Sequence, residues 1–474
     1  MVRLDLLQTM ETMFHPRAVA IVGASARETQ FTHGVVKGLR EACFPGPVYP
    51  VNPKLDELLG YRVYPSVADI PGPVDLAMVG VPSAAVMSVV HQCGRKNVPA
   101  MVVFTAGYAE VGGEGVMLER ELLDTARGYG MRIMGPNCFG LACSESRLTF
   151  RAGVPVEPGR GGLIAQSGSM AWSLALLAAE RGVYFGKVAS IGNASDLEAA
   201  DFLAYMGQDE RIDFISLYLE GLHDGRRFLD ALRDACRRKP VALWKAGRTK
   251  AGSEAAASHT AALAGEADVF RGVARQAGAI WCADLADMLD MIPGMRHAGV
   301  PQGLRVAVVS APGGAGVVTA DACEDHGLPF ARFAPETEER LRAFLPQFAS
   351  PRNPVDLTGA IFGDMSLYPR ALDVVMEDPG VDLVFVLGPS EIDPGLFGRT
   401  MAEGVSRGRW PKPVVVPWIA SGSAFEAGAA LLRQAGIACY PDPARAAWTV
   451  AQLSAYGRFR ARRGLPPWGG VRVD

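Results

Sequence analysis

The sequence predicts an α/β protein built from three doubly wound, parallel-sheet domains in series. Two observations carry this. Short β-branched runs alternate with longer helical patterns along the whole chain, and parallel strands need helical crossovers between them. The same opening device, a strand running through small residues into a helix, also occurs three times. It is seen at Val19-Ala-Ile-Val-Gly-Ala-Ser25, at Gly162-Leu-Ile-Ala-Gln-Ser-Gly-Ser-Met170 and at Val306-Ala-Val-Val-Ser-Ala-Pro-Gly-Gly-Ala-Gly316.

Taken in order, Val19–Val22, Val48–Val51, Leu76–Val81, Ala100–Thr105 and Arg132–Met134 read as buried strands. Ala84–Gly94 and Glu114–Tyr129 read as helices between them. Further on, Phe214–Leu219 reads as a strand, and another ends near Lys245. Boundaries are expected near Cys143–Gly161 and Pro293–Gly303, where Pro and Gly punctuate the pattern. That divides the chain into 1–145, 146–298 and 299–474.

Composition excludes several classes. The 474 residues are 49% hydrophobic and 20% charged, with a net charge of −3, the profile of a soluble globular protein. Without a basic excess, nucleic acid is a poor partner. No apolar run is long enough to cross a bilayer. Met1 to Phe14 carries Asp5 and Glu11 and lacks a signal pattern, so a cytoplasmic location is expected. The eight cysteines form no C-x-x-C and no zinc spacing, so reduced thiols and no metal site are expected.

In the first domain, Gly23-Ala-Ser25 is expected to present N–H groups at a helix N-terminus, a geometry that suits a phosphate. The dinucleotide fingerprint G-x-G-x-x-G is absent, because the next glycine after Gly23 is Gly34. The second strand leads into Tyr49-Pro-Val-Asn-Pro-Lys54 and lacks the acid that an NAD ribose needs. Lys54 fits a phosphorylated ribose better, such as that of coenzyme A, although a lone Lys is ordinarily a solvated surface residue. Val81-Pro82, Thr105-Ala-Gly107 and Gly135-Pro-Asn-Cys138 all follow strands and line the same crevice.

The second domain holds the most informative stretch, Val241 to Gly265. A strand gives way there to about fifteen Gly, Ala, Ser and Thr-rich residues, read as a functional loop. His259 sits in it, and a neutral imidazole can take a phosphoryl group. Gln166-Ser-Gly-Ser169 offers a helix start to receive the anion, and Gly313-Gly-Ala-Gly316 offers a second. Glu220, directly after Phe214–Leu219, could hold the other ring nitrogen. Spacing alone leaves open that His259 is a surface histidine without a role and Glu220 a strand-end ion pair.

Ala255-Ala-Ala-Ser-His-Thr-Ala-Ala-Leu-Ala-Gly265 resembles the phosphohistidine loop of the ADP-forming acyl-CoA synthetases, in the succinyl-CoA synthetase superfamily. Tyr49-Pro-Val-Asn-Pro-Lys54, Gly135-Pro-Asn-Cys138, Gln166-Ser-Gly168, Ile191-Gly-Asn193, Tyr218-Leu-Glu-Gly221 and Asn353-Pro-Val-Asp-Leu357 resemble that family's motifs, in its order and over nearly the whole chain. The resemblance implies a Rossmann-like CoA-binding domain followed by two flavodoxin-like domains. It implies His259 as the phosphorylated residue, with Glu220 holding its ring. It also implies Ser167, Gly168 and Ser169 at the receiving helix, and Gly313, Gly314 and Gly316 at a second phosphate site. Gly23, Ser25, Lys54, Pro82 and Asn137 would lie along coenzyme A. The family loop usually reads S-H-T-G, and Ala261 here replaces that glycine.

The family's nucleotide domain, an ATP-grasp fold, has no counterpart before Asp474. The resemblance therefore implies a separate ATP-grasp β subunit carrying ATP/ADP and Mg²⁺, and a hetero-oligomer acting on a small carboxylic acid and CoA. Two rival functions are weighed against this one: a non-catalytic CoA-responsive binding module, and an NAD-linked oxidoreductase.

Overall fold

A computed structural model describes residues 2–259, 266–301, 303–389, 393–406, 410–420 and 422–468, without the side chains of 2–5, 256–259, 406 and 424. The chain forms two compact units, Met1–Asp284 and Leu285–Asp474.

The first unit holds two parallel-type sheets. The first orders its strands Val48–Val51, Val19–Val22, Leu76–Val79, Ala100–Val103 and Arg132–Met134, all parallel. Numbered within the domain, this order is 2-1-3-4-5. Helices cover both faces of such a sheet, so the strands read as unbroken apolar runs. Val19, Ala20 and Ile21 are fully buried, and burial of a side chain the size of Val or Ile contributes about 1.5–3 kcal/mol.

The second sheet orders Ile280–Cys282, Val241–Lys245, Phe214–Leu219, Gly161–Ala165, Phe185–Ser190 and Gly140–Cys143. Its five parallel strands repeat the 2-1-3-4-5 order, and Gly140–Cys143 adds an antiparallel edge on Phe185–Ser190. That edge strand lies before the expected boundary at 145, so the second sheet begins earlier in sequence than the Pro/Gly punctuation suggests. The helix Val2–Phe14 packs against this edge strand. Phe14 stacks on Tyr205 at 5.4 Å, beside the buried ion pair of Lys187 with Asp209 at 2.8 Å.

The second unit holds one parallel sheet, ordered Val355–Asp356, Val306–Ser310, Leu383–Leu387, Val414–Pro417 and Ala438–Tyr440, again 2-1-3-4-5. The helix Leu285–Pro293, expected within the second domain, belongs to this unit: Arg445 bonds Asp287 and Asp290 from the long helix Pro443–Arg462. Asn353 holds the short edge strand in place by accepting from the Val308 N–H at 2.9 Å and donating to the Val306 and Ala331 carbonyls.

In each sheet the strand order reverses beside its first strand. Ligands of open α/β sheets bind at that point, outside the carboxyl ends of the two strands.

Candidate active site

In the first sheet the switch point lies between Val19–Val22 and Leu76–Val79. Gly23 follows the first of these at φ +83°, and a Cβ there would lie 2.6 Å from the Gly80 carbonyl. Only glycine allows the two strand ends to approach so closely. The expected helix start at Gly23–Ser25 is not found: the helix is Phe31–Glu41, and the Gly23 and Ala24 N–H groups both donate to the Val51 carbonyl. The helix that opens on this crevice is Ser83–Arg95, with Pro82 as its N-cap. Pro82 and Lys54 are exposed at the carboxyl end of the sheet. Asn52 donates to the Ala24 carbonyl at 2.7 Å and accepts from the Lys54 N–H at 2.8 Å, which anchors the Lys54 backbone beside Ser25.

In the second sheet the switch point lies between Gly161–Ala165 and Phe214–Leu219. Gln166 and Glu220 directly follow those strands. The Gln166 carboxamide oxygen accepts from the Glu220 and Gly221 N–H groups at 2.8 and 2.9 Å. The Tyr218 hydroxyl donates to Glu220 Oε1 at 3.3 Å. The helix Gly168–Glu180 starts here with Ser167 as N-cap, and Ser167 and Ser169 hydroxyls meet at 3.1 Å. A Cβ on Gly168 would lie 2.3 Å from the Phe139 ring, so that ring lies against the helix start. Ser167, Gly168, Ser169 and Glu220 thus share one crevice.

Lys245 ends the neighbouring strand, paired in register with Leu219, and is fully buried. It donates to the Ala246 carbonyl and stands 5.2 Å from the centre of the Phe270 ring. Burial lowers its pKa, and the nearby Glu220 carboxylate opposes that fall. Sequence reasoning assigned it no role, although a Lys at the end of an apolar strand was the available signal.

The segment after this strand departs from expectation. It is not loop throughout: residues Lys250–His259 form a helix. Thr249 caps it, accepting from the Gly252 N–H at 3.1 Å, and an alanine-rich run is a strong helix former. His259 is its last residue, but the His259 side chain and residues 260–265 lie outside the described residues.

The Ile191-Gly-Asn193 motif, which had no assigned role, interlocks with Gly135-Pro-Asn-Cys138 between the crevices. Gly192 has φ +59°, and a Cβ there would lie 2.4 Å from the Asn137 and Pro136 carbonyls. Asn193, only 2% exposed, donates to Glu110 at 2.6 Å and Glu119 at 2.9 Å. Its side-chain oxygen accepts from Asn137 Nδ2 at 3.4 Å, and its carbonyl lies 2.9 Å from His223 Nε2. Burial opposes ionisation of Glu110, but bonds from Asn193 and the Gly107 and Tyr108 N–H groups hold its carboxyl below the usual range. The Asn137 side chain is therefore tied to Asn193 as well as placed at the first crevice.

In the second unit the turn expected before a helix is the helix itself, Gly313–Asp325, with Pro312 as N-cap. Gly313 and Gly314 are exposed at its start, and a Cβ on Gly313 would lie 3.8 Å from Asp356 Oδ2. Among the described residues no cluster of acids, cysteines and histidines could hold a metal ion.

Three family models match in chain order: a CoA binding domain over 17–144, a succinyl-CoA ligase like flavodoxin domain over 158–294 and a ligase-CoA domain over 306–465. The subunit alpha of acetate–CoA ligase [ADP-forming] II from Pyrococcus furiosus is 36% identical over 450 residues, covering 94% of this chain and 97% of that one. The chain belongs to the ADP-forming acyl-CoA synthetases. Another relative in this family, acetate–CoA ligase [ADP-forming] I of Archaeoglobus fulgidus, is 37% identical across 96% of this chain, which spans 64% of that protein's length. Among solved structures, the dinucleotide-forming acetyl-coenzyme A synthetase 1 of Ca. Korarchaeum cryptofilum, in complex with phosphate and ADP, superposes with a TM-score of 0.88 at 33% identity. It covers 98% of this chain and 99% of that one. The acyl-CoA synthetase fold is thus present with a CoA-binding domain first and two flavodoxin-like domains after it.

Proposed function

We propose that this chain is the CoA-binding, phosphohistidine-carrying subunit of an ADP-forming acyl-CoA synthetase. The observation that carries the reading is the second crevice, where Glu220 and the start of Gly168–Glu180 stand at one switch point, beside the strand whose continuation leads to His259.

In the acyl-CoA-consuming direction, a phosphate oxygen attacks the thioester carbonyl. The C–O bond forms, the C–S bond breaks, and the thiolate takes a proton to leave as CoA. The His259 imidazole then attacks phosphorus, forming N–P and breaking the P–O bond to the acyl group, and the carboxylate leaves. His259 next passes the phosphoryl group to ADP; the reverse course makes acyl-CoA from acid, CoA and ATP. Glu220 is placed to hold the other ring nitrogen of His259 and so fix its tautomer. Ser167, Gly168 and Ser169 receive the anion at the positive end of their helix, and Gly313, Gly314 and Gly316 form the second such site. Gly23, Ser25, Lys54, Pro82 and Asn137 lie along CoA, with Lys54 toward a ribose phosphate.

The nucleotide, with Mg²⁺, belongs to a separate ATP-grasp β subunit in a cytoplasmic hetero-oligomer. The Pyrococcus furiosus relatives, designated subunit alpha, support that division. Among the described residues no helix is long and apolar enough to cross a membrane. The test is ADP formation from ATP, CoA, Mg²⁺ and a panel of carboxylic acids. It is expected to need this chain, an ATP-grasp chain and His259 together. Acid- and CoA-dependent turnover undiminished in His259→Ala overturns the reading.

A further inference from the structure

We propose that Asn193 is a positioning residue that holds the CoA crevice in register with the phosphoryl crevice, so that it serves the CoA-dependent step and not the phosphorylation of His259 itself. The inference rests on the function proposed above and adds a role for a residue outside both crevices.

A continuous run of hydrogen bonds joins the two switch points, and Asn193 is its middle. On the CoA side, the Thr105 hydroxyl donates to the Val81 carbonyl at 2.6 Å, beside Pro82, and the Asn137 N–H donates to the Thr105 carbonyl at 3.1 Å. The Asn193 N–H donates to the Pro136 carbonyl at 3.0 Å, and the Asn137 side chain returns a bond to Asn193. The Asn193 amide donates to Glu110, which accepts from Gly107 in the loop after the fourth strand. Two of the strand-end loops that face CoA are thereby tied directly to the Asn193 side chain, and the loop after Val81 joins them through Thr105.

On the phosphoryl side, the Gly192 N–H donates to the Gln166 carbonyl at 3.1 Å, and Gln166 in turn holds the Glu220 and Gly221 N–H groups. His223 joins the Asn193 carbonyl to the loop that follows Glu220. Asn193 is well suited to this place. A side-chain amide supplies two donors and an acceptor on one short stem, and here it serves two carboxylates and one amide at once. An acyl group passing between a thiol and a phosphate needs the two crevices fixed to within a fraction of an ångström, because small misplacements cost large factors in rate.

The two routes to phosphohistidine separate the roles. On the proposed function, acetyl [³²P]phosphate is expected to phosphorylate the chain without CoA, whereas labelling from acetyl-CoA with [³²P]phosphate needs both crevices. In Asn193→Ala, labelling from acetyl phosphate is expected to stay within about twofold of wild type, and kcat/KM for acetyl-CoA is expected to fall at least about tenfold. If Asn193→Ala does not give folded protein, Asn193→Ser, which is polar but too short to reach Glu110 and Glu119, gives the same comparison, with a thermal melt on each variant. Equal losses by both routes make Asn193 a purely structural residue and overturn the proposal, as do two unchanged routes. Failure of wild type to label by either route would instead sink the underlying function.

Discussion

The Gln166 side-chain oxygen accepts two consecutive backbone N–H groups, those of Glu220 and Gly221, across the gap between two parallel strands. This sets where the Glu220 carboxylate stands. Gln166→Leu leaves two buried donors without an acceptor, at about 1–3 kcal/mol each. A fall in unfolding free energy of that size by urea titration is expected, together with a lower rate of His259 labelling. Gln166→Glu keeps the acceptor and should recover most of both.

Gly168 has no room for a side chain, because the Phe139 ring occupies the place of its Cβ at 2.3 Å. Gly168→Ala is expected to cost about 1–3 kcal/mol through overpacking. Adding Phe139→Leu should restore much of the loss in a thermal melt. No recovery in the double variant would mean that backbone conformation, not the ring, demands glycine here.

Lys245 is buried at a strand end facing the charge of Glu220. Lys245→Met preserves length and apolar packing while removing the charge. It should melt within a few degrees of wild type yet label His259 at least about tenfold more slowly from acetyl phosphate, since a preorganised charge matters most where anions develop. Unchanged labelling would assign Lys245 to packing alone.

Acid stability turns on Asp209. Burial would raise its pKa, but bonds from Arg211 and Lys187 outweigh burial and hold it well below the usual carboxylate range. A carboxyl depressed in the folded state contributes stability that is present above its unfolded pKa, near 3.9, and is lost as pH falls through the folded value. Asp209→Asn also strands the buried Lys187 charge, so about 3–5 kcal/mol is expected to go at pH 7. The gap between variant and wild type should narrow as the solution is acidified below about pH 4.

Much of the architecture was legible because parallel strands covered on both faces are apolar throughout, as Val19–Val22 and Phe214–Leu219 are. The antiparallel strand Gly140–Cys143 was not, being short and begun by glycine. Gly23–Ser25 misled because a strand ending in glycine looks alike whether the helix follows at once or six residues on. The helix through His259 was hidden by its small residues, which suit a loop and a helix equally. In the site, Glu220 was placed at a strand end and Ser167–Ser169 at a helix start because those positions are marked by an apolar run and by small polar residues, and the structure has them so. Asn193 was not given its role, since its partners Glu110 and Glu119 are 83 and 74 residues away in sequence.

The most direct test of the account is transfer of ³²P to the purified chain from acetyl [³²P]phosphate, read as acid-labile, base-stable label. The account predicts label on wild type, none on His259→Ala and slower labelling of Glu220→Gln. Label that persists in His259→Ala would contradict it.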